Sequence, residues 1–65
     1  MKKIFISGMN CKHCESKIEN ALKDIGASFI EIDLENKIVN VEIDKSNEEI
    51  IDRIGDYGFD VDKIE

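Results

Sequence analysis

Two thiols lie three residues apart in the stretch Gly8-Met9-Asn10-Cys11-Lys12-His13-Cys14, and they are the only cysteines of the 65-residue chain. On a helix, residues at that spacing share one side of a turn. A helix starting at or just after Cys11 would hold both sulfurs near its N-terminus. There the free amides and the helix dipole favour thiolate. Lys12 adds positive charge. Three kinds of chemistry are open to such a pair: disulfide exchange, a structural metal clip, or a site that takes up a soft metal and releases it.

The residues around the pair separate these uses. C-x-x-C is also the thioredoxin-type redox motif. That fold sets a cis-proline against its cysteines, and this chain has no proline. Structural zinc sites want four closed ligands. One chain offers Cys11, Cys14 and at best His13, and adjacent helix residues do not face each other. Two thiolates with no obligatory third ligand suit Cu(I), which accepts two or three soft donors. On a loop at the solvent edge, an under-coordinated metal can be attacked by an incoming thiolate and passed on. No carboxylate pair, serine triad or phosphate loop competes, so the sequence predicts a binding protein and not an enzyme.

The pair must be held by elements that the apolar periodicity marks out. Residues 2–7 alternate, with Ile4 and Ile6 on one side, and read as a strand. Gly8 breaks it. From about Lys12 to Asp24, Ile18, Ala21, Leu22 and Ile25 form the stripe of one buried helix face. Gly26 follows as an αL cap. Residues 28–34 alternate, with Ile30, Ile32 and Leu34 on one side. Glu35-Asn36 is expected to turn the chain, because Asn tolerates positive φ. Residues 37–43 then place Val39, Val41 and Ile43 inward, with Ile38 on the other parity. Ser46 to Glu49 is a capping box. The helix it opens, about Asn47 to Asp56, is expected to bury Ile50, Ile51 and Ile54. Gly58 closes it, and a last strand, Phe59–Ile64, turns Phe59, Val61 and Lys63 one way.

The order β-α-β-β-α-β predicts an α+β, ferredoxin-like sandwich, with two helices on one face of a four-stranded antiparallel sheet. Sixty-five residues are expected to form a single domain, residues 1–65, near the lower size limit for an adequate core. Apolar residues at 42% supply that core despite a charged fraction of 37%. After Lys2 and Lys3 the apolar run is only Ile4-Phe5-Ile6. That is too short for a secretory segment or a membrane span, so no membrane insertion is expected. Free thiols without such a signal suit a reducing, cytoplasmic setting. Met1 makes a separate gene product the expectation, against a domain cut from a transporter. The net charge of −6 disfavours nucleic acid as a partner. Residues 1–24 carry five Lys against three acids, whereas residues 25–65 carry four basic and twelve acidic residues. A positive cysteine end is therefore expected to dock on an acidic surface, with Lys12 and Lys17 as contacts.

Gly8-Met9-x-Cys11-x-x-Cys14 resembles the G-M-x-C-x-x-C signature of heavy-metal-associated domains of the bacterial copper chaperone type. The resemblance covers the whole chain, and Gly58-Phe59-Asp60-Val61 is similar to the G-Y-D-V segment before that family's last strand. It implies a cytosolic metallochaperone that carries one Cu(I) between Cys11 and Cys14. Delivery would be by ligand exchange to a copper-transporting P-type ATPase, its N-terminal metal-binding domain, or a copper-responsive regulator. It implies that Met9 packs beneath the loop and does not bind metal. His13 would tune the second cysteine or join a copper-bridged homodimer. Phe59 stands where Tyr is usual, and its ring would shield the metal without a hydroxyl. Asn10 stands where Ser or Thr is common and where zinc- and cadmium-handling relatives carry Asp. Being neutral, it leaves the site soft and favours Cu(I). The alternatives are a Zn(II), Cd(II) or Hg(II)-binding domain of a transporter or resistance system, and, from another class, a thiol-disulfide oxidoreductase.

Overall fold

In the computed structural model, which describes all 65 residues, six elements follow the predicted order. They are β1 (Lys2–Ser7), α1 (Lys12–Asp24), β2 (Phe29–Asp33), β3 (Ile38–Glu42), α2 (Asn47–Asp56) and β4 (Asp60–Ile64). The strands form one antiparallel sheet in the order β2-β3-β1-β4. The core lies between one face of this sheet and the two helices. Ile4, Ile6, Val39 and Val41 come from the central strands, Ile18, Ala21 and Leu22 from α1, and Ile50 and Ile54 from α2. Met9, from the loop after β1, completes this single cluster. Ile4 and Ile6 on β1 and Val39 and Val41 on β3 alternate inward, and the two helices cover that apolar side of the sheet. The chain thus has the ferredoxin-like α+β architecture.

Local chemistry sets the ends of the helices. Ser46 Oγ accepts the Glu49 amide at 3.2 Å, which caps α2. The reciprocal bond from Glu49 to the Ser46 amide is not formed, so half of the capping box operates. Each helix closes in a Schellman motif, with Ala27 N–H bonding Leu22 C=O and Phe59 N–H bonding Ile54 C=O. Gly26 and Gly58 supply the positive φ that this closure needs.

Four expectations shift. Ile51 is 44% exposed, not buried. Ile50 and Ile54, a helical turn apart, define the buried line of α2, and Ile51 lies about 100° round the helix from Ile50. Ile25 is the C-cap of α1 and only half-buried. The positive φ of the β2–β3 turn falls on Lys37, at 58°, and not on Asn36. Asn36 instead bonds Asp33, through its amide at 3.1 Å and its side chain at 2.9 Å. Finally, β4 does not alternate evenly. Phe5 pairs with Lys63 but Ile6 pairs with Val61, so Asp62 is an extra residue in a β-bulge. Val61 and Ile64 take the inward positions beside Ile6 and Ile4. Lys63 therefore lies on the open face, its Nζ 4.6 Å from the centroid of the Phe5 ring.

Candidate metal centre

The loop between β1 and α1 is pinned at two places. Gly8 leaves the strand at φ 82°, in the left-handed region that a side chain would resist. Met9 then turns into the core and is fully buried. A thioether so placed packs against the core. The chain rises again through exposed Asn10 and Cys11 to the start of α1. Cys11 is the N-cap of that helix, with extended φ and ψ of −149° and 165°. Its sulfur accepts the Cys14 amide at 3.3 Å, the bond a Ser or Asp oxygen usually makes. No sequence signal marked Cys11 for this second role, since cysteine is not a preferred cap.

The geometry brings the two thiols together. Both cysteines are free, and their sulfurs stand 2.7 Å apart in a shared hydrogen bond. Cys11 is exposed, while Cys14 is half-buried and packs on the core. The Cys14 thiol is held below its ordinary range, chiefly by the hydrogen bond from Cys11. Burial opposes this, and the backbone of Asn10 and Cys11 and the charge of Lys17 add to it. Such a pair offers two soft donors on one turn, one anchored and one open to solvent. A d10 monovalent ion accepts that donor set.

The other predicted residues occupy distinct places. His13 is exposed on the first turn of α1. No group of three or more His, Cys, Asp or Glu side chains converges to hold a metal, so neither His13 nor a carboxylate joins the sulfurs. Phe59 is half-buried and packs on the core just after the closure of α2. Two residues before Phe59, the Tyr57 hydroxyl donates to Asp24 Oδ2 at 2.7 Å, at the far end of α1 from the cysteines.

The charge around the site is narrower than the two chain halves implied. Lys2 belongs to the opposite end of β1, where its Nζ bonds Lys45 C=O and Asn47 Oδ1. Lys23 pairs with Glu19 at 3.6 Å near the end of α1. Lys12 and Lys17 remain as exposed cations on the early turns of α1. Glu15 beside them lines an open groove with Glu31 and Asp33 of β2.

The chain is similar to several known proteins. The profile described as heavy-metal-associated domain matches residues 3–60. A protein of Staphylococcus aureus (strain bovine RF122 / ET3-1) named copper chaperone CopZ is 42% identical over 60 residues, covering 86% of this chain and 88% of its own. Among solved structures, a CopZ metallochaperone superposes with a TM-score of 0.84 at 33% identity, covering 94% of this chain and 98% of its own. A gold binding protein superposes with a TM-score of 0.82 at 25% identity, covering 94% and 95%.

Proposed function

The chain belongs to the heavy-metal-associated domain family, and from that membership we propose that it is a copper chaperone. In this role residues 1–65 act as one domain that binds one Cu(I) between Cys11 and Cys14. One observation carries the reading: two free sulfurs meet at the start of α1, one exposed and one half-buried, in a chain 42% identical to a copper chaperone over most of its length. The soft donor set and neutral Asn10 support a monovalent d10 ion over Zn(II). The likeness to a gold binding protein points in the same direction.

The chemistry is ligand exchange, without oxidation or reduction. Exposed Cys11 is the sulfur that yields first, because Cys14 is tied into the core. An acceptor thiolate bonds to Cu(I), the Cys11–Cu bond breaks, and the ion crosses through a shared-thiolate intermediate. Cys14 is released last. The acceptor would be a thiol-bearing domain of a copper-transporting P-type ATPase, or a copper-responsive regulator, in the cytosol. Catalysis of a chemical conversion forms no part of this role.

The test is a titration of the reduced protein with Cu(I) and with Zn(II), each against a competing chelator. Tight one-to-one Cu(I) binding, lost in Cys11→Ser and in Cys14→Ser, is the expected result. Preference for Zn(II) would move the protein to another metal. Dithiol–disulfide turnover without metal would overturn the chaperone reading.

A further inference from the structure

We infer that the uncovered face of the sheet is a self-association surface, on which a second copy of this chain packs sheet to sheet without any metal. The helices cover one face only. On the other, the strand registers set four side chains in one row across the sheet. Asp33 of β2 lies opposite Ile38 of β3, Ile38 opposite Phe5 of β1, and Phe5 opposite Lys63 of β4. The row reads acid, aliphatic, aromatic, base. Its ends carry opposite charges and its centre is apolar, with Phe5 and Ile38 half-buried and no helix above them.

Symmetry turns this row into a match. Oligomers of one chain close most often through a two-fold axis, which demands a self-complementary surface. Two sheets pack face to face with their strands nearly aligned. A two-fold parallel to the strands sets β2 of one copy over β4 of the other, and β3 over β1. Asp33 then meets the second copy's Lys63, Ile38 meets its Phe5, and both contacts occur twice. A two-fold across the strands would instead set Lys63 on Lys63 and Asp33 on Asp33, so charge selects the first. Hydrogen bonds from Asn36 hold the Asp33 carboxyl below its usual range and keep it charged. Lys63 lies over the Phe5 ring and pairs with Glu65 at 3.0 Å, an exposed contact that it can exchange for Asp33 of the second copy.

The match is local, and this sets its strength. The neighbouring row, Glu31–Asn40–Lys3–Glu65, places Asn40 against Lys3 but acid against acid at its corners. Four strands of five residues span on the order of 300 Å² per copy, against roughly 800 Å² in a standard interface. Two bodies of net charge −6 also repel, until salt screens them. The association is therefore weak and belongs to high concentration. Because the axis runs along the strands, both cysteine loops come to the same end of the pair. They stay on its outer, helix-bearing sides, where the sulfurs remain open.

The test uses reduced, metal-free protein at physiological salt. Its mass by sedimentation should rise from 7.4 kDa toward twice that value at millimolar concentration, and equally so in the Cys11→Ser/Cys14→Ser protein. The amide signals that move with concentration should centre on Phe5, Ile38 and Lys63. A monomer throughout would overturn the inference and leave the face to a different partner or to solvent. Movement centred on the cysteine loop, or association lost with the two sulfurs, would overturn it too. Asp33→Lys and Lys63→Glu should each abolish association, because like charges then meet. Mixed one to one they should restore it, because each changed position then faces its opposite. Association that survives in either variant alone would remove the charge match. Should either variant fail to fold, the signals of the parent protein still decide the surface. No arm contains copper, so the chaperone reading stands or falls separately.

Discussion

At the scale of single residues, the two thiols are chemically unequal. Cys14 is half-buried and its thiol is lowered, first of all by the hydrogen bond from Cys11. Removing that donor should let the Cys14 thiol rise. In Cys11→Ala the pH midpoint for alkylation of Cys14 by iodoacetamide is therefore expected to move upward. A midpoint that stayed put or fell would mean that the neighbouring sulfur is not the cause. His13 makes a different case. It is exposed and shares no ligand cluster with the sulfurs. His13→Ala should bind Cu(I) as the parent does in a chelator competition, and any change should be confined to the Cys14 thiol or to dimer formation. Loss of copper from that variant would make His13 a direct ligand.

At the scale of elements, the loop depends on what lies beneath it. Met9 is fully buried in the same cluster as Ile4, Ile18 and Val41. Met9→Ala should cost about 2–5 kcal/mol of stability, read by urea denaturation. Met9→Leu, which keeps the volume, should cost less than about 1.5 kcal/mol. A second tie joins the ends of α2 and α1. The Tyr57 phenol is raised above its ordinary value near 10, first by its hydrogen bond to Asp24. A phenol raised in the folded state contributes stability that is complete below pH 10 and fades as the pH climbs through the raised value. Tyr57→Phe should lower the melting temperature at pH 7, and the gap between variant and parent should close above pH 10. These elements were largely legible beforehand. Ile18, Ala21 and Leu22 recur at helical spacing, and Ile4, Ile6, Val39 and Val41 alternate, so burial alone located them. The C-x-x-C pair was equally plain, since spacing fixes which residues share a turn. The bulge was not, because Val61, Asp62 and Lys63 read as ordinary alternation and the slip depends on which strand lies alongside. Nor was the capping role of Cys11, which arises only once the helix starts beside it.

At the scale of the whole molecule, the net charge of −6 is spread unevenly over a small body. The cations near the cysteines reduce to Lys12 and Lys17, with the groove of Glu15, Glu31 and Asp33 close by on the same helix and on β2. A small positive spot on an otherwise acidic protein cannot attract an acidic partner over long distances, since the net charge repels it. At physiological ionic strength charges are screened beyond roughly 8 Å. The long-range repulsion is then damped, and the short-range attraction of Lys12 and Lys17 can orient the encounter so that the sulfurs face the acceptor. Steering of this kind acts on the rate of association more than on its strength. Lys12→Glu combined with Lys17→Glu should therefore slow Cu(I) transfer to an acidic acceptor domain and leave Cu(I) affinity unchanged. The slowing should be largest at low salt and shrink as salt is added, measured by stopped-flow across a salt series. Transfer as fast as the parent's at every salt concentration would remove the two lysines from the docking surface.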